Sequence, residues 1–111
     1  MVKLEIKSDQ KDVSSLVKSA IFSEIKKMEI GLNRTEQEIK KYEKKYQINS
    51  DVFLKDFTAE DLNEGDNEYI KWAGEIRLKE RILDDLSKLK DIEYVSRWIF
   101  KYQENSGPYW F

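Results

Sequence analysis

The chain has 111 residues, 20 Lys and Arg against 22 Asp and Glu, no His, no Cys, four Gly and one Pro. That is one modest domain's worth of chain, and a hydrophobic share of 40% is too high and too periodic for a disordered one. The missing residue types exclude disulfides, thiol nucleophiles, iron–sulfur ligation, imidazole bases and His-ligated zinc. Catalysis would have to run on carboxylates, Lys, Tyr and hydroxyls, so a binding protein with no enzyme activity, cofactor or metal is expected. No apolar run approaches the roughly 20 residues of a membrane helix. The opening Met1-Val2-Lys3-Leu4-Glu5 lacks the apolar core of a secretion signal, and a cytoplasmic location is expected.

In chain order, Val2, Leu4 and Ile6 alternate with Lys3, Glu5 and Lys7, which predicts a strand over 2–7 with one buried face. Ser8 and Asp9 are candidate caps for the helix that follows. That helix is predicted over 12–47. Its stripe of Ile21, Ile25, Met28, Leu32, Thr35, Ile39, Tyr42 and Tyr46 steps alternately by four and three, a heptad seam. Gly31 and the Thr35–Glu38 capping-box pattern would allow a break, but the unbroken seam favours one helix.

Asn49 and Ser50 are positioned to cap a short helix over 50–57 that carries Val52, Phe53 and Phe57. A turn over 58–66 follows. From Asp51 to Glu68 there are seven acids and one base, Lys55, so this stretch is an acidic knob. A second long helix is predicted over 67–91, capped by Asn67, with an apolar face of Tyr69, Trp72, Ala73, Ile76, Leu83, Leu86 and Leu89. Ile82 and Ile92 widen the face, and Lys79 lies along it with its ammonium in water. The tail over 93–111 alternates Trp98, Phe100 and Tyr102 with Ile99 and Lys101, a strand pattern. The expected fold class is mainly α: one long antiparallel helical hairpin, coiled-coil-like, with a short strand at the N-terminus and an aromatic strand or tail at the C-terminus.

The seam residues Ile21, Ile25, Met28, Leu32, Ile39, Tyr42, Trp72, Ile76, Leu83 and Leu86 serve intramolecular packing, self-association, or both. A strand at each end could pair into a small ribbon, but a homodimer or higher oligomer along the seam is expected, because two helices cannot cover so wide an apolar face. Tyr94, Trp98, Phe100, Tyr102, Tyr109, Trp110 and Phe111 hold half of the chain's aromatics. They either complete the chain's own core or anchor a partner, and Trp110 at least is expected to be buried. Asp61, Glu64 and Asp66 of the acidic turn could meet a basic protein surface. Asp61-Leu62-Asn63-Glu64-Gly65-Asp66 is not a calcium loop, since its Gly comes one place early and its twelfth residue is Trp72. Lys26-Lys27, Lys40-Lys41 and Lys44-Lys45 are interleaved with Glu and read as i,i+4 ion pairs on a solvated face. Glu68 and Glu75 lie seven apart on one helix face, with nothing in sequence to make them an acid–base pair.

Tyr42-Glu43-Lys44-Lys45-Tyr46, Asn49-Ser50, Phe53 with Phe57, the Gly65-Asp66 turn and Trp72-Ala73-Gly74-Glu75 together resemble small archaeal and bacterial two-helix proteins. Some of these are the antitoxin-like member of toxin–antitoxin pairs. The resemblance spans 13–95. Gln47 departs from it where relatives carry Gly, and the aromatic tail is an extension. The resemblance implies a non-enzymatic antitoxin-like protein that binds and neutralises a partner toxin, with a nuclease of basic surface expected. The alternatives are a self-associating structural coiled coil and, behind it, a DNA-binding autorepressor that uses the first strand.

Overall fold

A computed structural model describes residues 2–58, 61, 62 and 65–98, the last three by backbone alone. The elements in order are β1 (Val2–Ser8), α1 (Val13–Tyr46), α2 (Ser50–Asp56), α3 (Asp66–Lys90) and β2 (Ile92–Trp98). The molecule is mainly helical and elongated, 75 × 20 × 19 Å. Among the described residues no helix is long and apolar enough to cross a membrane.

The heptad seam gives α1 as one unbroken helix of 34 residues. Thr35 does not cap a second segment; it is fully buried in the seam, where its hydroxyl accepts a 3.3 Å hydrogen bond from Arg34. Ser8 and Asp9 do not cap α1 either. Ser8 Oγ accepts from the Gln10 N–H at 3.0 Å, and the helix starts after Asp12, a left-handed residue at φ 67° without a side-chain cap bond. At the far end Gln47 takes the left-handed position usually filled by glycine, at φ 57° and ψ 39°. That conformation costs a side-chain-bearing residue about 1 kcal/mol. Lys44 and Lys45 in the last turn face the carbonyl end of the helix dipole.

Asn49 caps α2, its Oδ1 accepting from the Val52 N–H at 2.9 Å. α3 begins a residue ahead of the predicted cap Asn67. Gly65, at φ 57°, makes the turn, and Asp66 and Glu68 bring negative charge to the first turn. The helix stops at Lys90, so Ile92 opens β2 instead of widening the helical face. The part of the predicted aromatic strand beyond Trp98 lies outside the described residues.

α1 and α3 pack along matched seams. The buried face of α3 carries Glu68, Trp72, Ala73, Ile76 and Leu86, with Glu75, Lys79, Ile82 and Leu89 half-buried along it. Leu83 falls outside it, 46% exposed, and Ile82 takes its place, its Cδ1 3.7 Å from where a Cβ on Gly31 would stand. Ion pairs flank the seam. Glu36 meets Lys79 at 3.5 Å and Glu29 meets Lys90 at 3.3 Å. Arg34 meets Glu75 at 3.4 Å and Lys45 meets Glu68 at 2.5 Å. Helical spacing puts the two α1 acids on one flank and the two α1 bases on the other. The largely exposed pairs at Glu29 and Glu36 add little energy, but a turned α3 would set like charges together. All four of these pairs cross between helices. The within-helix pairs seen are Glu38–Lys41 at 3.0 Å, spaced i,i+3, and Asp84–Lys88 at 2.9 Å, spaced i,i+4.

β1 and β2 form a two-stranded parallel ribbon, in register from Val2 opposite Ile92 to Ser8 opposite Trp98. Lys90, the last residue of α3, reaches only Glu29 of α1. The first half of α1 overhangs, and there the ribbon lies against it, Tyr94 meeting Phe22 at 6.4 Å between ring centroids.

Candidate interaction surface

The two ends of the molecule differ in how they dispose of their apolar side chains. At the α2 end the rings close on one another. Phe53 stacks on Trp72 at 3.8 Å, and Tyr42 and Tyr46 stack on the same indole at 5.6 and 5.8 Å. Trp72 and Phe53 are fully buried, with Ile39, Leu62, Ala73 and Ile76 completing the core.

The polar atoms at this end are satisfied within the chain. Trp72 Nε1–H donates to Ser50 Oγ at 3.0 Å, and Ser50 Oγ–H and N–H both donate to Glu43 at 3.0 and 2.9 Å. Glu68 is buried and accepts from Lys45 Nζ and from the Tyr46 hydroxyl. The Lys45 hydrogen bond, then the Tyr46 one, hold its carboxyl below the usual carboxylate range against the opposing effect of burial. Burial, then the nearby Glu68 charge, pushes the Tyr42 hydroxyl above its ordinary value.

Of the Glu68–Glu75 pair, Glu68 meets Lys45 and Glu75 meets Arg34. A groove of about 300 Å³ runs between α1, α3 and the start of α2. It is floored by Ile39, Ile76 and Leu83 and rimmed by Lys40, Lys79 and Glu80, so both signs of charge line it.

At the ribbon end the apolar side chains face solvent. Leu16 and Phe22 of α1 are 67% and 57% exposed and Val2 of β1 is exposed as well, while Ile30, at 71%, lies one residue past Glu29, where α3 ends. Lys18 Nζ lies over the Tyr94 ring at 5.6 Å. The Tyr94 hydroxyl is buried and has no hydrogen-bond partner among the described residues. Among the described residues of the α2 end, Ile70 is the most exposed large apolar side chain, with Val52, Leu54 and Leu83 exposed to a lesser degree.

Of the residues expected to bind a partner, Tyr94 is half-buried at the ribbon and Trp98 closes β2. Phe100, Tyr102, Tyr109, Trp110, Phe111 and Glu64 lie outside the described residues. Asp61 is exposed but turned to its own loop, accepting from the Thr58 N–H at 2.8 Å and from its hydroxyl at 3.2 Å. Asp51, Asp56 and Asp66 remain exposed. Of the seam residues, Ile39, Trp72, Ile76 and Leu86 are buried, and Ile21, Ile25, Met28, Leu32 and Tyr42 are half-buried.

Phe22, Lys18 and the strand edge were not legible as a surface. Phe22 stands one place off the seam, and its neighbour Tyr94 is 72 residues away in the chain. No family model, curated protein or solved structure matches the chain.

Proposed function

We propose that this chain works by binding another protein and not by catalysis, as an antitoxin-like cytoplasmic protein that covers and neutralises a partner toxin. In this reading the two long helices are an antiparallel hairpin, which the pairings of Glu29 with Lys90, Glu36 with Lys79 and Lys45 with Glu68 support. The observation that carries the binding function is the ribbon end: an overhanging helix with Leu16 and Phe22 more than half exposed, beside a ribbon of two strands. Surface of that kind suits an interface. The antitoxin assignment rests on the resemblance over 13–95. The exposed Asp51, Asp56 and Asp66 suit a partner with a basic surface, such as a nuclease.

The test is affinity capture from native lysate with the full-length chain, at low and high salt. Phe22→Ser and Ile70→Ser are run beside it. One basic protein in stoichiometric amount, kept by Ile70→Ser and lost with Phe22→Ser, is the expected result. Recovery of the bait alone at every salt concentration contradicts the proposal.

A further inference from the structure

A two-stranded parallel ribbon is an unusual end state. Parallel sheets are normally buried on both faces, and an isolated pair of strands is marginal in water. Here, among the described residues, each strand is hydrogen-bonded on one side only. β1 carries Val2, Leu4 and Ile6 in alternation with Lys3, Glu5 and Lys7, the three charged residues being exposed.

We infer that the outer edge of β1 pairs with β1 of a second copy of the chain. The pairing is antiparallel about a two-fold axis through Leu4, and it makes a four-stranded sheet of order β2-β1-β1-β2. The sequence of the strand selects both occupant and register. With the axis at Leu4, Lys3 lies opposite Glu5 of the second copy and Glu5 opposite its Lys3. Val2 lies opposite Ile6, and Leu4 opposite Leu4, so the three apolar side chains of β1 meet only one another, and Lys7 and Ser8 extend past the partner's strand.

Directly opposite charges stabilise an antiparallel pair, and like charges destabilise it. Moving the axis to Glu5 sets Lys3 against Lys7 and Glu5 against itself. Moving it to Ile6 keeps a Lys7–Glu5 pair but sets Leu4 against Ser8 and runs Val2 past the end of the strand. A one-residue slip puts apolar side chains opposite charged ones. The lysines that deter indiscriminate strand addition thus become attractive in one arrangement. Four strands at about 4.8 Å spacing also give a sheet wide enough to seat two α1 helices side by side at about 10 Å.

The experiment is sedimentation equilibrium on the full-length chain, with a charge-swap series and a cysteine series. The wild type is expected at twice its 13.3 kDa chain mass. Lys3→Glu and Glu5→Lys each turn two symmetry-related attractions into repulsions, raising the dimer Kd by about tenfold or more. The double variant Lys3→Glu/Glu5→Lys restores the pairing, which a merely destabilised ribbon would not do. Circular dichroism of each variant checks that the helices are retained.

The chain has no native cysteine, so a single introduced thiol reports position cleanly. Under mild oxidation Leu4→Cys is expected to cross-link to itself, and Ile6→Cys, which faces Val2, to do so far less. A monomer at all concentrations overturns the inference. So does a dimer indifferent to the charge swaps, or one in which Ile6→Cys cross-links in preference to Leu4→Cys. A dimer that β1 substitutions leave intact would point to another face, and a second protein seated on β1 in its place would also count against it.

Discussion

The two ends of this molecule use the same kinds of residue for opposite purposes. At the α2 end, Trp72, Phe53, Tyr42 and Tyr46 stack on one another, and Glu68, Lys45, Glu43 and Ser50 satisfy each other. At the ribbon end, Phe22 and Tyr94 meet edge to face with one ring largely in solvent, and a tyrosine hydroxyl is buried without a partner among the described residues. Burial that is complete stabilises a fold. Burial left incomplete at one end of a 75 Å rod leaves surface for another molecule. On the proposed reading, the stability of this chain and its association are carried by different residues, so each should be alterable without the other.

The largest break should come from Trp72→Ala. Removing a fully buried indole should cost about 3–5 kcal/mol in urea unfolding. The matching Phe22→Ala change should cost about 0.5 kcal/mol or less, because the ring is mostly exposed. Equal losses at the two sites would abolish the contrast.

Glu68→Gln should be next, at about 1.5–3 kcal/mol, because the Lys45 and Tyr46 donors lose a charged acceptor. This site also has a pH signature. The folded carboxyl titrates below its unfolded value, so its contribution is complete above the ordinary carboxylate range and is lost as pH falls through the folded value. Urea midpoints measured from about pH 6 down to about pH 3 should therefore fall for the wild type and flatten in Glu68→Gln. A variant as acid-sensitive as the wild type would remove Glu68 from the account.

Two smaller changes should stabilise the chain. Gln47→Gly relieves the left-handed backbone at the end of α1 and should raise stability by about 1 kcal/mol in thermal or urea unfolding. Tyr94→Phe removes a buried hydroxyl lacking a partner among the described residues and should be neutral or stabilising by up to about 1 kcal/mol. A clear loss with Tyr94→Phe would mean that the hydroxyl is satisfied by something at the ribbon end.

The long elements were legible in the sequence because their signals are periodic. The four–three spacing of α1 predicts a single helix through Gly31, and the alternation of Val2, Leu4 and Ile6 predicts β1. Asn49 was legible as a cap because its side chain acts within three residues of itself.

What escaped is set by contacts distant in the chain. Glu68 and Glu75 look like solvent-facing residues until Lys45 and Arg34 are brought to them. Tertiary pairing chose Ile82 over Leu83, which apolarity alone could not do. A strand pattern at each end allows β1 and β2 to pair, but they are about 90 residues apart in sequence, and no local pattern fixes their parallel sense or register. Leu62, buried within an acidic turn, was hidden by its neighbours' charge.

The most direct test of the account is amide hydrogen exchange by mass spectrometry on the full-length chain across a wide range of protein concentration. Association at the ribbon end predicts protection that grows with concentration in Val2–Ser8, Ile92–Trp98 and the first half of α1, while the amides around Trp72 exchange slowly and identically throughout. Concentration-dependent protection centred on Trp72 and α2, or none anywhere, would contradict it.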